Sequence, residues 1–121
     1  MSIIKSYTDL GQSKKLAEIL PIESADLYYD RYGIPVFIDK IVTHESIKND
    51  KYGHLIPCWS LAALLDVLSY PQLFKDKLGS RKVGWMVSVY PNDCRYDSFW
   101  HDKQIDACYE MILKLYEQKL L

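Results

Sequence analysis

The residues with the sharpest chemical potential are Cys58 and Trp59, near the start of the stretch "IPCWSLAALLDVLSY" at residues 56 to 70. The stretch reads as a helix entered at Pro57, whose missing N–H suits a first helical turn. A thiol at such an N-terminus has its thiolate favoured by unpaired backbone N–H groups. A cysteine nucleophile also needs a base, and the three histidines are His44, His54 and His101. On this reading the protein is a thiol-dependent hydrolase using Cys58. The competing reading makes Cys58 a small apolar residue with Trp59 packed beside it, since cysteine is among the most buried residue types. The second reading is preferred: His44 and His54 fall in the polar text "THESIKNDKYGHL" with no orienting partner in the pattern. No residue is assigned a catalytic role.

The Cys-Trp pair resembles the one that starts the catalytic helix of papain-like proteases. The upstream Gly-Ser spacer of that family is missing, however, and the chain is much shorter. Other constellations are weaker still. Glu23, Asp26, Asp30 and Glu45 can be paired on paper, but none has a histidine or metal partner at fixed spacing. The histidines form no H-x-H or H-x-x-x-H pattern and no CxxC occurs, so no metal site is expected. The glycines at 11, 33, 53, 79 and 84 are scattered, so no phosphate-holding loop and no cofactor is expected.

Fifteen Lys and Arg stand against sixteen Asp and Glu, so no chain-wide positive field attracts phosphates and nucleic acid is not an expected partner. Lys75, Lys77, Arg81 and Lys82 form one local basic cluster. Cys58, Cys94 and Cys108 are odd in number and widely spaced, which suits a reducing compartment, and the expected location is cytoplasmic. The N-terminal residues lack the apolar run of a secretory signal, and no apolar run is long enough to span a membrane.

Ten tyrosines against three phenylalanines are the compositional oddity. Tyrosine and tryptophan suit protein contacts because they bury large area while keeping a polar handle. Tyr28, Tyr29, Tyr32, Tyr96 and Trp100 are therefore the candidate binding residues, with half-buried packing as the alternative. The partner would be another protein or a second copy in a homodimer.

The elements that must position these residues follow from periodicity. Asp9 and Gln12 make a capping box for a helix carrying Leu16, Ala17 and Leu20, which Pro21 ends. Residues 26 to 32 lean to irregular structure. Residues 36 to 42, "VFIDKIV", read as a strand and 43 to 55 as a surface loop. Leu61, Leu64, Leu65 and Leu68 fall at i, i+3, i+4 and i+7, and small or apolar neighbours predict a central helix largely surrounded by protein. "YPQLFKDKLGSRK" reads as a polar connection. Residues 83 to 100 alternate around Pro91-Asn92-Asp93 and predict an antiparallel hairpin. A C-terminal helix follows, with Asp102 as cap, Ile105, Cys108, Ile112 and Leu115 buried, and Glu110 and Lys114 as an outward i,i+4 pair.

Pro57, Trp59, Ser60, Leu61, Leu64 and Leu65, then Trp85, then Asp106, Ala107, Cys108 and Met111 resemble the blocks of a group of small proteins of gut Bacteroidota and their phages and mobile elements. The likeness runs over most of the chain apart from residues 36 to 55. It implies fold-level unity and a phage-like setting in bacteria, and it transfers no catalytic residue. The expectation is one α+β domain over residues 1–121. Its small antiparallel sheet, the 83–100 hairpin with 36–42 as a candidate third strand, packs against the central and C-terminal helices. The expected function is a non-enzymatic protein-interaction domain, with the Cys58 hydrolase as the alternative.

Overall fold

The structure is a computed structural model that describes residues 6–50, 53–78 and 82–121. It is α+β, with four α-helices and two three-stranded antiparallel sheets among the described residues. The described chain gathers into two compact units, Tyr7–Ala63 and Leu64–Leu121, the second joined by Ser6.

In the unit Tyr7–Ala63 the first helix, α1 (Leu10–Ala17), starts where the capping box places it: Gln12 N donates to Asp9 Oδ1 at 2.8 Å and Asp9 N to Gln12 Oε1 at 3.1 Å. A 3-10 turn at Ile22–Ser24 leads into β1 (Leu27–Tyr29), followed by β2 (Pro35–Phe37), the short helix α2 (His44–Lys48) and β3 (Ile56–Cys58). The sheet order is β2-β1-β3. The expected loop at 43–55 thus holds a helical turn. Thr43 and Ser46 cap it reciprocally at 3.2 Å, with serine in the place where glutamate would have announced the motif, and Ile47 is buried. The expected strand at 36–42 shrinks to β2 and pairs with β1, so it lies in a different sheet from the 83–100 hairpin.

Two prolines lie inside this sheet, and the hydrogen-bond phase explains why it tolerates them. Asp30 N donates to Ile34 O and Ile38 N to Asp26 O, so Asp26, Tyr28 and Asp30 turn their backbone groups toward β2, and Leu27 and Tyr29 turn theirs toward β3. Pro35 pairs with Tyr29 and Pro57 with Tyr28. Both prolines therefore occupy outward-facing ladder positions that lack an N–H at no cost to the sheet. Pro57 is a strand residue rather than the first residue of a helix.

Helix α3 (Leu61–Val67) begins after β3 and spans the division between the units. Ser60 caps its start, with Ala63 N donating to Ser60 Oγ at 3.2 Å. Of its residues only Leu64 is fully buried, with Ala62 and Asp66 exposed, so α3 is shorter and more one-sided than its leucine content suggested.

In the unit Leu64–Leu121 the sheet runs β4-β5-β6, from β4 (Gln72–Leu78), β5 (Lys82–Val89) and β6 (Tyr96–Asp97). The expected hairpin exists: Ser88 pairs with Asp97 and Val89 with Tyr96 across a 3-10 turn at Pro91–Asp93, where Asn92 and Asp93 take positive φ. The stretch expected to be a polar connection is instead β4, an edge strand registered from Gln72↔Ser88 to Leu78↔Lys82. Its charged residues fit a strand with one side open.

The C-terminal helix α4 (Gln104–Glu117) packs on β5 and buries Ile105, Ala107, Cys108, Met111, Ile112 and Leu115. Its cap position is Lys103, not Asp102. Glu110 and Lys114 do not face outward as a pair. Glu110 accepts from His101 Nε2 at 2.7 Å and from Phe99 N at 3.2 Å, and Lys114 Nζ donates to Asp97 O at 3.0 Å, so both tie α4 to the segment that leads into it.

Candidate functional site

Cys58 ends β3 with no part of its surface exposed, and Trp59 beside it is equally enclosed. Strand geometry removes the helix N-terminus that would have favoured a thiolate. The sulfur instead joins a buried polar knot around Thr8. Tyr29 OH donates to the Thr8 carbonyl oxygen at 2.7 Å, and Ser13 Oγ and Cys58 Sγ donate to the same oxygen at 3.4 Å. Thr8 Oγ1 lies 2.8 Å from Ser13 Oγ and receives Trp59 N at 3.2 Å, while Thr8 N donates to Trp59 O at 2.9 Å. Burial pushes the Cys58 thiol above its ordinary value, and burial likewise raises Tyr29. Both groups are held neutral, the opposite of what a nucleophile and its activator require.

The histidines are committed elsewhere. His44 Nε2 donates to the Ala25 carbonyl at 2.7 Å, and His101 bonds Glu110. His54 is exposed. Beside this network Asp26 clamps the start of α3: Ser60 N donates to Asp26 Oδ1 at 2.9 Å and Ser60 Oγ to Asp26 Oδ2. Trp59 Nε1 donates to Ser24 Oγ at 2.9 Å, so the indole is satisfied as well as packed. Cys108 is buried on α4, with its thiol pushed up to about 12 by burial, whereas Cys94 is exposed. Among the described residues no group of three or more His, Cys, Asp or Glu side chains is placed to hold a metal ion.

The five aromatic candidates separate. Tyr28 and Tyr29 are core residues of β1, 8% and 7% exposed, so neither offers surface to a partner. Tyr96 is half-buried on β6, and Trp100 is moderately exposed. Tyr32 is 71% exposed, and it is joined by residues that an inventory of tyrosines and tryptophans passed over: Ile34, Phe37 at 71% and Ile41 at 86%. Apolar residues spaced irregularly over two turns and the short strand β2 between them show no period, so the sequence pattern does not single them out.

The turns on either side of β2 are each built by an aspartate. Asp30 Oδ1 accepts Tyr32 N at 2.8 Å and Ile34 N at 3.0 Å, with Gly33 at φ 76° completing the turn. Asp39 Oδ1 accepts Ile41 N at 2.8 Å and Val42 N at 2.9 Å, and these donors hold its carboxyl below the usual range. Arg31 lies over the Tyr32 ring at 4.8 Å, and its Nη2 donates to the Tyr32 hydroxyl at 2.7 Å. Tyr32, Ile34, Phe37 and Ile41 are thus presented from backbone that local hydrogen bonds already hold in place.

Among the described residues no helix is long and apolar enough to cross a membrane. Compared with protein-family models, curated proteins and solved structures, the chain matches none.

Proposed function

We propose that the protein is a small non-enzymatic interaction domain that binds another protein through Tyr32, Ile34, Phe37 and Ile41. The observation that carries this reading is the exposure of four large apolar side chains within residues 32–41. Apolar surface concentrated in this way is a mark of interaction sites. The turns at Asp30 and Asp39 support it further, because a loop already ordered by its own hydrogen bonds loses little entropy on docking. The resemblance to small proteins of Bacteroidota phages and mobile elements fits a role exercised inside a bacterial cell.

The test is affinity capture from such a host with the wild-type protein and with a Tyr32→Ser/Phe37→Ser/Ile41→Ser variant, followed by reassembly from purified components. The expected result is a partner retained by the wild type and released by the variant. Equal retention by both proteins would overturn the reading. Sedimentation of the free protein distinguishes a foreign partner from a second copy, since self-association would give a dimer that the variant lacks.

A further inference from the structure

The two sheets treat their edges differently. Trp85 exchanges both backbone hydrogen bonds with His101, at 2.6 and 2.8 Å, and Val87 O accepts Ser98 N at 3.0 Å, so these β5 residues turn their backbone groups toward β6. Gly84, Met86 and Ser88 must then turn theirs toward β4, where they meet Asp76, Phe74 and Gln72. The backbone N–H and C=O groups of Leu73, Lys75 and Lys77 consequently point away from the sheet, and among the described residues β4 has no strand on that side. Proline occupies outward ladder positions on both outer strands of the sheet in Tyr7–Ala63, whereas β4 contains none.

The amino-acid sequence of this strand and the residues that follow it is one-sided in charge. Residues 72–82 contain Lys75, Lys77, Arg81 and Lys82 against Asp76 alone, in a chain whose formal net charge is -1. Lys75 is exposed and its Nζ lies 5.3 Å from the centre of the Trp85 ring, which holds the cation on the face shared by that cross-strand pair. Leu73, two residues away on the same face, is half-buried, and Phe74 on the opposite face is partly exposed.

We propose that β4 is an open docking edge for an extended acidic peptide segment of another protein, which adds as a fourth strand. The outward groups of Leu73, Lys75 and Lys77 supply the main-chain ladder. A carboxylate opposite Lys75 meets its ammonium, and an apolar residue two positions along meets Leu73. This surface is distinct from residues 32–41 and can succeed or fail independently of them.

The probe is a fluorescein-labelled eight-residue peptide, Thr-Val-Thr-Glu-Thr-Val-Thr-Glu, whose valines and glutamates alternate along one face, read by anisotropy at low and high salt beside the same peptide with lysine for glutamate and a labelled oligothymidylate. The expected result is salt-weakened binding of the acidic peptide alone. Leu73→Pro removes one outward donor that β5 does not use and weakens binding about five- to tenfold. Protection of the Met86 amide from hydrogen exchange reports whether β4 stays paired in that variant. If it does not, Lys75→Glu decides, since that exchange must transfer preference to the lysine peptide. No binding of the acidic peptide, equal binding by a folded Leu73→Pro protein, unchanged preference in Lys75→Glu, or tighter binding of the oligothymidylate each overturns the proposal. A Tyr32→Ser/Phe37→Ser protein keeps the peptide, which separates this edge from the loop.

Discussion

The hydroxyl of Tyr29 donates to the carbonyl oxygen of Thr8 across 2.7 Å, joining β1 to a backbone segment 21 positions earlier in the chain. Ser13 and Cys58 converge on the same oxygen and Trp59 closes the knot from β3, so one backbone carbonyl gathers side chains from α1, β1 and β3. Tyr29→Phe removes the shortest of these bonds while leaving the ring in place. Equilibrium urea unfolding should show a loss of about 1–2 kcal/mol. A change near zero would mean that Ser13 and Cys58 already satisfy the carbonyl.

The three thiols should separate by exposure. Under native conditions iodoacetamide should modify Cys94 first, while Cys58 and Cys108 react only as fast as the fold opens, because burial raises both thiols. Peptide mass spectrometry over a time course reads the order. Fast labelling of Cys58 in folded protein would contradict its enclosure and restore the case for a reactive cysteine.

Trp59 fills a fully enclosed site and its indole N–H is taken by Ser24 Oγ. Trp59→Ala should cost about 3–5 kcal/mol through lost burial and the cavity left behind. Trp59→Phe should cost less, keeping most of the volume while leaving Ser24 without its donor. Thermal unfolding of the pair orders the two effects.

Asp97 has its carboxyl lowered from the ordinary value of 3.8, first by the Ser88 hydroxyl at 2.5 Å and then by the Arg95 guanidinium at 2.8 Å. A lowered folded pKa means that the carboxylate contributes stability in full above the unfolded value and loses it as pH falls through the folded one. The melting temperature of the wild type should therefore fall more steeply than that of Asp97→Asn below about pH 4, and the two curves should run parallel above about pH 5. Parallel curves throughout would show that solvent screens the cluster completely.

The elements legible in the amino-acid pattern were those that carry their own signal. Asp9 and Gln12 announce α1, the stripe Ile105, Cys108, Ile112 and Leu115 announces α4, and the turn at Pro91–Asp93 announces a hairpin. The enclosed state of Cys58 and Trp59 was also expected, though not its cause. Edge geometry hid the rest. β4 carries Lys75, Asp76 and Lys77 because one side is open, and so it reads as a loop. Pro57 looks like a helix start until the ladder phase shows that its position needs no donor. Tyr28 and Tyr29 sit in a three-residue strand too short to reveal a period, so their burial had no local sign. Of the candidate site only Tyr32 is legible in the sequence, because its exposed companions Ile34, Phe37 and Ile41 belong to residue types that ordinarily signal core.

Pro35 and Pro57 also bear on how the chain behaves in a crowded cell. Adding strands laterally, as fibrils do, requires free donors at the rim of a sheet. Here Pro35 withholds one donor on the β2 rim, where Phe37 is the other outward position, and on the β3 rim Pro57 offers none while the next donor, Trp59 N, is taken by Thr8. The β3 rim is thereby closed to lateral growth and the β2 rim keeps only a shortened ladder, so crowding of the folded chains gives that sheet a poor route into a self-propagating stack.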